Sequence, residues 1–321
     1  MRTLNDQPTI DISLVILTFN RREALRRCLD SISAMNKGEL SVEVIVVDDG
    51  SEIDNLPVIS QFKETLGIRY FKKNNQGVAS TRNFGIRKAR GKFIGFIADD
   101  YTLPGSYLSD VAEFYNNHPE AWVITHNIRP TGPSVFRYVQ RLYYQMTLLQ
   151  RFDSRDLKQN VVKSSDLPPS RGAVFRKEIF DILGYFNEDF LTGEDGEFGM
   201  RMASRGIPVY FFPKKFIEHF EEKDLRGYLD QRIRYGSSFY RAVLARDGER
   251  TRKPSIFGTF KSTLERYYSW LKLSHAIDRG AEYLLLSPFI ILFLIFYYAG
   301  FYSESRKIVP SYKPARSRIN S

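Results

Sequence analysis

The sequence predicts an α/β fold built on a largely parallel sheet, and three observations carry that expectation. Short runs of β-branched and aromatic residues alternate with helix-period segments over about the first 120 residues, the pattern of successive strand–helix–strand units. Two of these runs stop at acidic doublets: Val42–Val47 at Asp48-Asp49-Gly50-Ser51, and Phe93–Ala98 at Asp99-Asp100. A glycine turn, Asn74-Asn75-Gln76-Gly77-Val78-Ala79, opens a further helix. In an open parallel sheet, ligands bind outside the carboxyl ends of the strands. Two doublets at two such ends bring four carboxylates toward one crevice. Carboxylates at close quarters repel, so the cluster calls for a cation, either a metal or a basic side chain. A hard, oxygen-preferring metal that also holds phosphates meets that need.

The elements follow in order. Asp11 to Thr18 is the first strand and runs straight into Phe19-Asn20-Arg21-Arg22. The next helix carries an apolar stripe of Ala24, Leu25, Cys28, Leu29 and Ile32 at helical spacing. After the Val42–Val47 strand come a polar helix near Asn55–Thr65 and a short strand, Ile68–Phe71. The helix opened by Gly77 carries Arg82, Asn83 and Arg87, and the Phe93–Ala98 strand then delivers the second doublet. Val135–Arg151 is aromatic and amphipathic, with Tyr138, Leu142, Tyr143 and Met146 on one side of a helix. Ser164–Arg171, with Pro168 and Pro169, is a loop; Gly172–Phe175 is a strand and Glu178–Leu183 a short helix. Leu191-Thr192-Gly193-Glu194-Asp195-Gly196-Glu197 interrupts the chain before a helix holding Met200, Arg201 and Met202. Val209–Phe212 is a further strand, leading to Pro213 and then His219.

From Asp224 the sequence turns helical and basic, and it reaches Tyr283–Tyr302. That uncharged stretch of about 20 residues is long enough to span a bilayer. Tyrosines at both ends suit interfacial anchoring; the competing reading is a buried helix. Basic residues flank it on both sides: Lys272 and Arg279 before, Arg306, Lys307, Lys313, Arg316 and Arg318 after. Pro288 near its start allows a bend into a re-entrant or surface-lying anchor. Membrane association is therefore expected without a commitment to a full crossing.

Composition narrows the function. With 321 residues, 43% hydrophobic and 26% charged, the chain can bury one substantial α/β core with extra elements or two modest domains. The net charge of +10 suits an anionic partner such as nucleotide phosphates or acidic lipid. Nucleic acid is not expected, because no recognisable binding motif accompanies the charge. The single cysteine, Cys28, excludes an internal disulfide and a cysteine-rich zinc site, and it reads as a small core residue. The first residues, Met1 to Pro8, contain no apolar segment of the signal-peptide kind, so the expected location is the cytoplasmic face of the membrane.

Taken together, the chain from Ser13 to about Gly236 resembles the family 2 glycosyltransferases, which carry the GT-A fold. The resemblance rests on six segments in this order: Val15 to Arg21, Val47 to Ser51, Asn75 to Asn83, Gly91 to Asp100, Gly193-Glu194-Asp195, and His219. It implies a GT-A domain over 11–222, with a nucleotide-sugar-binding half at 11–125 and an acceptor and catalytic half at 126–222. A basic amphipathic helical extension (223–282), a hydrophobic membrane-associated helix (283–302) and a basic tail (303–321) complete the expected organisation.

The resemblance also implies roles. Thr18, Phe19 and Asn20 would line the nucleoside pocket, and Asp49 would accept a hydrogen bond from the base, which suits uracil. Alternatively, Asp48 and Asp49 shape the turn before Gly50. Arg82 would reach the nucleotide or its diphosphate, since a guanidinium fork matches phosphate geometry; the alternative is a solvated helix charge. The family's metal motif is commonly Asp-X-Asp, and here Ala98 stands at its first position. Asp100 is then the expected direct ligand of Mn²⁺ or Mg²⁺, and Asp99 lies toward the ribose or a metal-bound water. His219 would be a further ligand. Asp195 would take the proton from the acceptor hydroxyl, with Glu194 orienting the acceptor or the loop; the alternative for Asp195 is a helix cap. The implied partners are a nucleotide-diphosphate sugar donor, a glycan or lipid-linked acceptor and a membrane surface.

Gln231-Arg232-Ile233-Arg234-Tyr235 approaches the Gln-X-X-Arg-Trp motif of processive synthases, with Tyr in place of Trp. It is taken as part of a basic helix, and transfer of a single sugar is expected. Two other functions compete. A sugar nucleotidyltransferase would need a glycine-rich loop after the first strand, where Thr18 to Arg22 has none. A non-catalytic nucleotide-sugar-binding or membrane scaffold protein would not need Asp100, Asp195 and His219 together.

Overall fold

The computed structural model describes residues 11–307 apart from 154, 171, 191 and 248–252, and the side chains of 245–247 are left aside. The expectations for the first ten residues and for the tail with Lys313, Arg316 and Arg318 lie outside the described residues, as do Arg171 and Leu191. The first half runs β1 (Ile12–Thr18), α1 (Arg22–Ser33), β2 (Val42–Asp48), α2 (Leu56–Leu66), β3 (Arg69–Lys72), α3 (Val78–Lys88) and β4 (Phe93–Ala98). There follow β5 (Tyr101–Thr102), α4 (Tyr107–Asn117), β6 (Val123–Thr131), α5 (Arg137–Leu149), β7 (Val162–Ser164) and β8 (Val174–Arg176). The last elements are α6 (Ile179–Leu183), α7 (Glu194–Ser204), β9 (Val209–Phe220), α8 (Leu225–Asp247), α9 (Ile256–Ala276) and α10 (Gly280–Arg306).

The sheet is mixed, in the order β3-β2-β1-β4-β8-β6-β9-β5, with β7 also on β9. Its first four strands are parallel, as the alternation of strands and helices requires. β1 pairs from Ile12↔Val42 to Thr18↔Asp48 on one side and from Ile12↔Phe93 to Leu17↔Ala98 on the other. That register carries Thr18, Asp48 and Asp99 to one edge of the sheet. β1 is buried at every position but Leu17, as a strand covered on both faces should be. All five residues of the expected α1 stripe are buried.

The second half departs further from expectation. β6 was not foreseen, because its sequence, Val-Ile-Thr-His-Asn-Ile-Arg-Pro-Thr, buries Thr125 and His126 and so breaks polar–apolar alternation. β9 does not stop at Phe212. It continues through Pro213, whose carbonyl accepts from the Asn127 side chain at 2.8 Å, so His219 lies within the strand.

The described residues fold as two compact units, one within 11–129 and 160–220, the other within 130–159 and 221–307. The sheet belongs to the first, apart from the end of β6. In the second, the helical face of α5 is built from Val139, Leu142, Tyr143 and Met146, which pack with Tyr228, Trp270 and Phe293. Tyr138, expected on that face, is half exposed. Helical periodicity gave Leu142, Tyr143 and Met146 and missed only at the first turn, where Val139 and not Tyr138 faces inward; it gave no sign that 130–159 joins the C-terminal helices. Arg232 is not part of a solvated basic face: it is fully buried, donates to Gln140 and Gln231 at 3.0 Å and lies 4.3 Å from the centre of the Tyr143 ring. α10 runs unbroken through Pro288.

Candidate active site

The loops after β1, β2 and β4 are tied together by short polar side chains. The Asp49 N–H donates to the Thr18 carbonyl at 2.9 Å, and the Asp99 N–H donates to Leu17 at 3.2 Å. Asn20 adopts a left-handed backbone (φ 54°), and its Oδ1 accepts from the Glu52 N–H at 2.7 Å. Asn20 N–H in turn donates to Ser51 Oγ at 2.8 Å. Phe19, between Thr18 and Asn20, is an exposed ring.

The first doublet is built into the turns. Buried Asp48 accepts from the Ser51 N–H at 2.7 Å and from Asn55 and Tyr70 at 2.8 Å. These bonds hold its carboxyl below the ordinary range, although burial alone acts in the opposite direction. Asp49 accepts from the N–H groups of Gln76 and Gly77 at 3.0 and 2.9 Å and pairs with Lys73. It therefore anchors the turn that opens α3. Gly50 is required there: its φ is +83°, and a Cβ would lie 2.8 Å from the Asn75 amide nitrogen.

The second doublet gathers a cation of its own. Arg21 Nη1 lies 3.2 Å from Asp99 and 2.6 Å from Asp100. Thr18 Oγ1 donates to Asp99 at 2.8 Å. Burial pushes Asp99 up to about 6, against the lowering effect of Arg21. Pairing of β5 with β9 sets Tyr101 opposite His219, which brings His219 Nε2 to 3.3 Å from Asp100. The sequence placed Asp100 and His219 in one site, and the strands do bring them together. Arg21 was overlooked, although it directly follows the Thr18-Phe19-Asn20 segment.

A third group forms between α3 and α7. Arg82 Nη1 is 2.8 Å from Glu194 Oε1, and its guanidinium lies 5.1 Å from the Phe186 ring centre and 5.6 Å from that of Phe96. Arg82 is thus no solvated helix charge. Its Nε and Nη1 are buried without a hydrogen-bond acceptor among the described residues, because the Glu194 contact lacks hydrogen-bond alignment. Glu194, in the first turn of α7, is buried, and its pKa is pushed up to about 7 by that burial, with Arg82 opposing and Asp195 assisting. Asp195 is only partly buried and accepts from the Gly196 N–H at 2.8 Å. Asn83, also overlooked, fixes the same region by bonding Phe186 through both its amide atoms and Glu188 at 2.8 Å.

Comparison with known proteins decides the family. The sequence model of glycosyl transferase family 2 matches residues 13–183, more than half of the chain. The chain belongs to glycosyl transferase family 2. Among its relatives, a hyaluronan synthase of Pasteurella multocida is 28% identical over 229 residues, which is 61% of this chain and 23% of that protein. A validoxylamine A glucosyltransferase of Streptomyces hygroscopicus subsp. limoneus is 26% identical over 230 residues, 62% of this chain and 49% of the relative. The match thus spans about a quarter and about half of these relatives. Solved structures agree on the fold of this family 2 chain. Residues 1–349 of S. aureus TarS align with TM-score 0.54 at 16% identity, over 92% of this chain and 91% of that one. A mannosyltransferase from Pyrobaculum calidifontis, solved with GDP-Man and Mn²⁺, aligns with TM-score 0.60 at 17% identity, over 94% and 90%. The fold is that of the GT-A glycosyltransferases.

Proposed function

We propose that this chain is an inverting, metal-dependent transferase. It would move one sugar from a nucleotide-diphosphate sugar, a UDP-sugar by preference, to a hydroxyl of a lipid-linked or cell-surface glycan. The observation that carries the reading is Arg82: a guanidinium held by Glu194 and between the Phe96 and Phe186 rings, with 15% of its side chain still open. A diphosphate would meet the open edge of that fork with charge-assisted hydrogen bonds, for which a positioned guanidinium is well matched. TarS solved with UDP-GlcNAc and the mannosyltransferase solved with GDP-Man support a nucleotide-sugar donor.

Asp100 and His219 offer one hard oxygen and one nitrogen to a cation, and no group of three such side chains forms among the described residues. This suits Mn²⁺ or Mg²⁺ arriving with the diphosphate, since Mg²⁺ in particular takes only one or two carboxylates and fills its remaining positions with phosphate and water. When bound, the metal neutralises charge on the leaving diphosphate. Thr18, Asn20 and Asp49 shape the nucleoside end, where the exposed Phe19 ring can face the base, and Asp99 sits toward the ribose. Asp195, partly exposed at the start of α7, takes the proton of the acceptor hydroxyl. That oxygen bonds to the anomeric carbon as the bond to the diphosphate breaks on the opposite side. Glu194, 2.8 Å from Arg82, orients the loop that presents Asp195 to the acceptor.

α10 supports attachment to the cytoplasmic face of the membrane, where nucleotide sugars are available. The test of the whole reading is a screen of the purified full chain with nucleotide sugars and Mn²⁺, reading released nucleotide diphosphate. Turnover of one donor is expected. Tight donor binding with no turnover of any donor would leave a non-catalytic binding protein.

A further inference from the structure

The second compact unit bears on how the chain meets a membrane. α10 is the helix long and apolar enough to cross a bilayer among the described residues, and only 22% of its most apolar stretch is buried. Its residues divide by face. Ile290, Phe293 and Leu294 enter the core of the unit, whereas Leu284, Leu285, Ile291 and Ile295 are exposed, Leu285 by 78%. From Phe293 to Glu304 the inner face packs on α8, and the turns before it meet α9 through Tyr283 and Ser287. Gly236 of α8 and Gly300 of α10 allow the backbones to touch, since a Cβ on Gly300 would lie 2.1 Å from the Ile233 carbonyl oxygen. Ser237 donates to the Gly300 carbonyl at 3.1 Å, and Arg241 pairs with Glu304 at 2.6 Å. α10 cannot cross a bilayer in this packing without carrying α8 with it. α8 holds Arg226, Asp230, Arg234 and Arg241, and ionised side chains at mid-bilayer are too costly to take in that number.

α9 adds a second apolar stripe. Ile256, Phe257, Phe260, Leu264 and Tyr268 recur on one side of it and are all exposed, Phe257 by 76%. α9 and α10 lie antiparallel, joined by Tyr267 Oη to Ser287 Oγ at 2.9 Å and by Tyr283 Oη donating to the Tyr267 carbonyl at 3.0 Å. Exposed Lys253, Lys272, Arg306 and Lys307 stand at the ends of these helices. Mid-helix Lys261 lies 3.7 Å from Glu265.

We infer that the outer faces of α9 and α10 form an attachment surface that lies in the plane of an acidic bilayer, and that α10 does not cross it. Apolar stripes of this kind sink to the headgroup–acyl boundary while lysines and arginines meet anionic lipid. Lys253, Lys272, Arg306 and Lys307 give this surface the complementary charge at the helix ends. This rests on the proposed membrane association but not on catalysis. A chain that floats with vesicles and transfers no sugar would sink the enzymatic reading alone.

The test is flotation of the full chain with vesicles of phosphatidylcholine and phosphatidylglycerol. Wild type should float with the mixed vesicles. Phe257→Asp/Phe260→Asp and Leu285→Asp/Ile291→Asp should each float at least tenfold less while keeping wild-type circular dichroism. Equal flotation of either folded variant and wild type would overturn the surface, as would equal binding to pure phosphatidylcholine or a stable dimer that never floats. In sealed inverted vesicles from expressing cells, added protease should remove a C-terminal tag without detergent. A protected tag would mean that α10 crosses.

Discussion

Arg82 Nη1 lies 2.8 Å from Glu194 Oε1, linking the helix opened by Gly77 to the helix opened by Gly193. The pair joins the part of the site expected to hold the donor to the part expected to act on the acceptor. Lys at position 82 would keep one charge but offer neither the fork nor the flat face that fits between Phe96 and Phe186. Arg82→Lys should weaken donor binding roughly 10- to 100-fold, the loss of one strong charge-assisted bond of about 1.5–3 kcal/mol. Calorimetric titration with the donor identified by screening measures it. Unchanged affinity would remove Arg82 from the diphosphate site.

Glu194 should also mark the pH dependence of stability. Its folded pKa is raised from 4.5 to about 7, chiefly by burial. Between those values the unfolded chain has released a proton that the folded chain still holds, so rising pH favours unfolding across that window. Above about 7 the loss is complete. Glu194→Gln lacks this titration. Its melting temperature relative to wild type should therefore climb as pH goes from 4.5 to 7, and then level off. A constant difference over the range would mean that Glu194 is ionised throughout.

Asp195→Asn keeps the shape of the α7 N-terminus and removes the proton acceptor. Sugar transfer should fall by roughly 10²–10⁴-fold, the usual contribution of a general base, with donor affinity almost unchanged. If the variant transfers at the wild-type rate, Asp195 serves only to cap its helix.

The parallel half of the fold was legible because β1, β2 and β4 are mostly apolar runs and α1 carries a full apolar stripe. Cys28 and Ile32 needed only their spacing to be placed. Likewise, Thr18, Asp48 and Asp99 could be brought to one edge, since parallel strands deliver their carboxyl ends together. The antiparallel half was less legible because its pairings are set by contacts distant in sequence. His126 and Thr125 are buried polar residues within β6, and nothing local signals that the Ser170 and Gly172 carbonyls meet them or that Tyr107 and Phe212 pack on the imidazole. Arg232 shows the same limit: a basic residue in a basic stretch is buried only because Gln140 and Tyr143, some ninety residues earlier, meet it. Arg21 was visible as a charge, but its contact with both Asp99 and Asp100 depends on β1 lying next to β4.

That contact leads to a prediction about metal. Arg21 already supplies the positive charge that Asp100 would otherwise take from a divalent ion. Removing it with Arg21→Gln should tighten Mn²⁺ binding in the absence of donor by roughly tenfold, equivalent to about 1.4 kcal/mol. Electron paramagnetic resonance of free Mn²⁺ reads this without turnover. Asp100→Ala should abolish binding in both backgrounds. Full wild-type transfer in the presence of a chelator would show that the site needs no metal, with Arg21 as its cation.

The close crossing of α8 and α10 can be tested by one methyl group. A Cβ on Gly236 would lie 1.8 Å from the Tyr297 carbonyl oxygen and 2.8 Å from the Phe301 nitrogen. Both are backbone atoms of a helix and cannot rotate away, so the helices must separate. Separation would strain the Arg241–Glu304 pair and open the core around Phe293. Gly236→Ala should therefore destabilise the chain by about 1–3 kcal/mol or more, as overpacking does, despite the higher helix propensity of Ala. Gly105 has open space around its Cβ position and no unusual backbone angle, so Gly105→Ala serves as the control. Denaturant midpoints of the two variants give the comparison. A Gly236→Ala midpoint equal to that of the control would mean that α10 does not rest on α8, and the objection to a membrane crossing would fall with it.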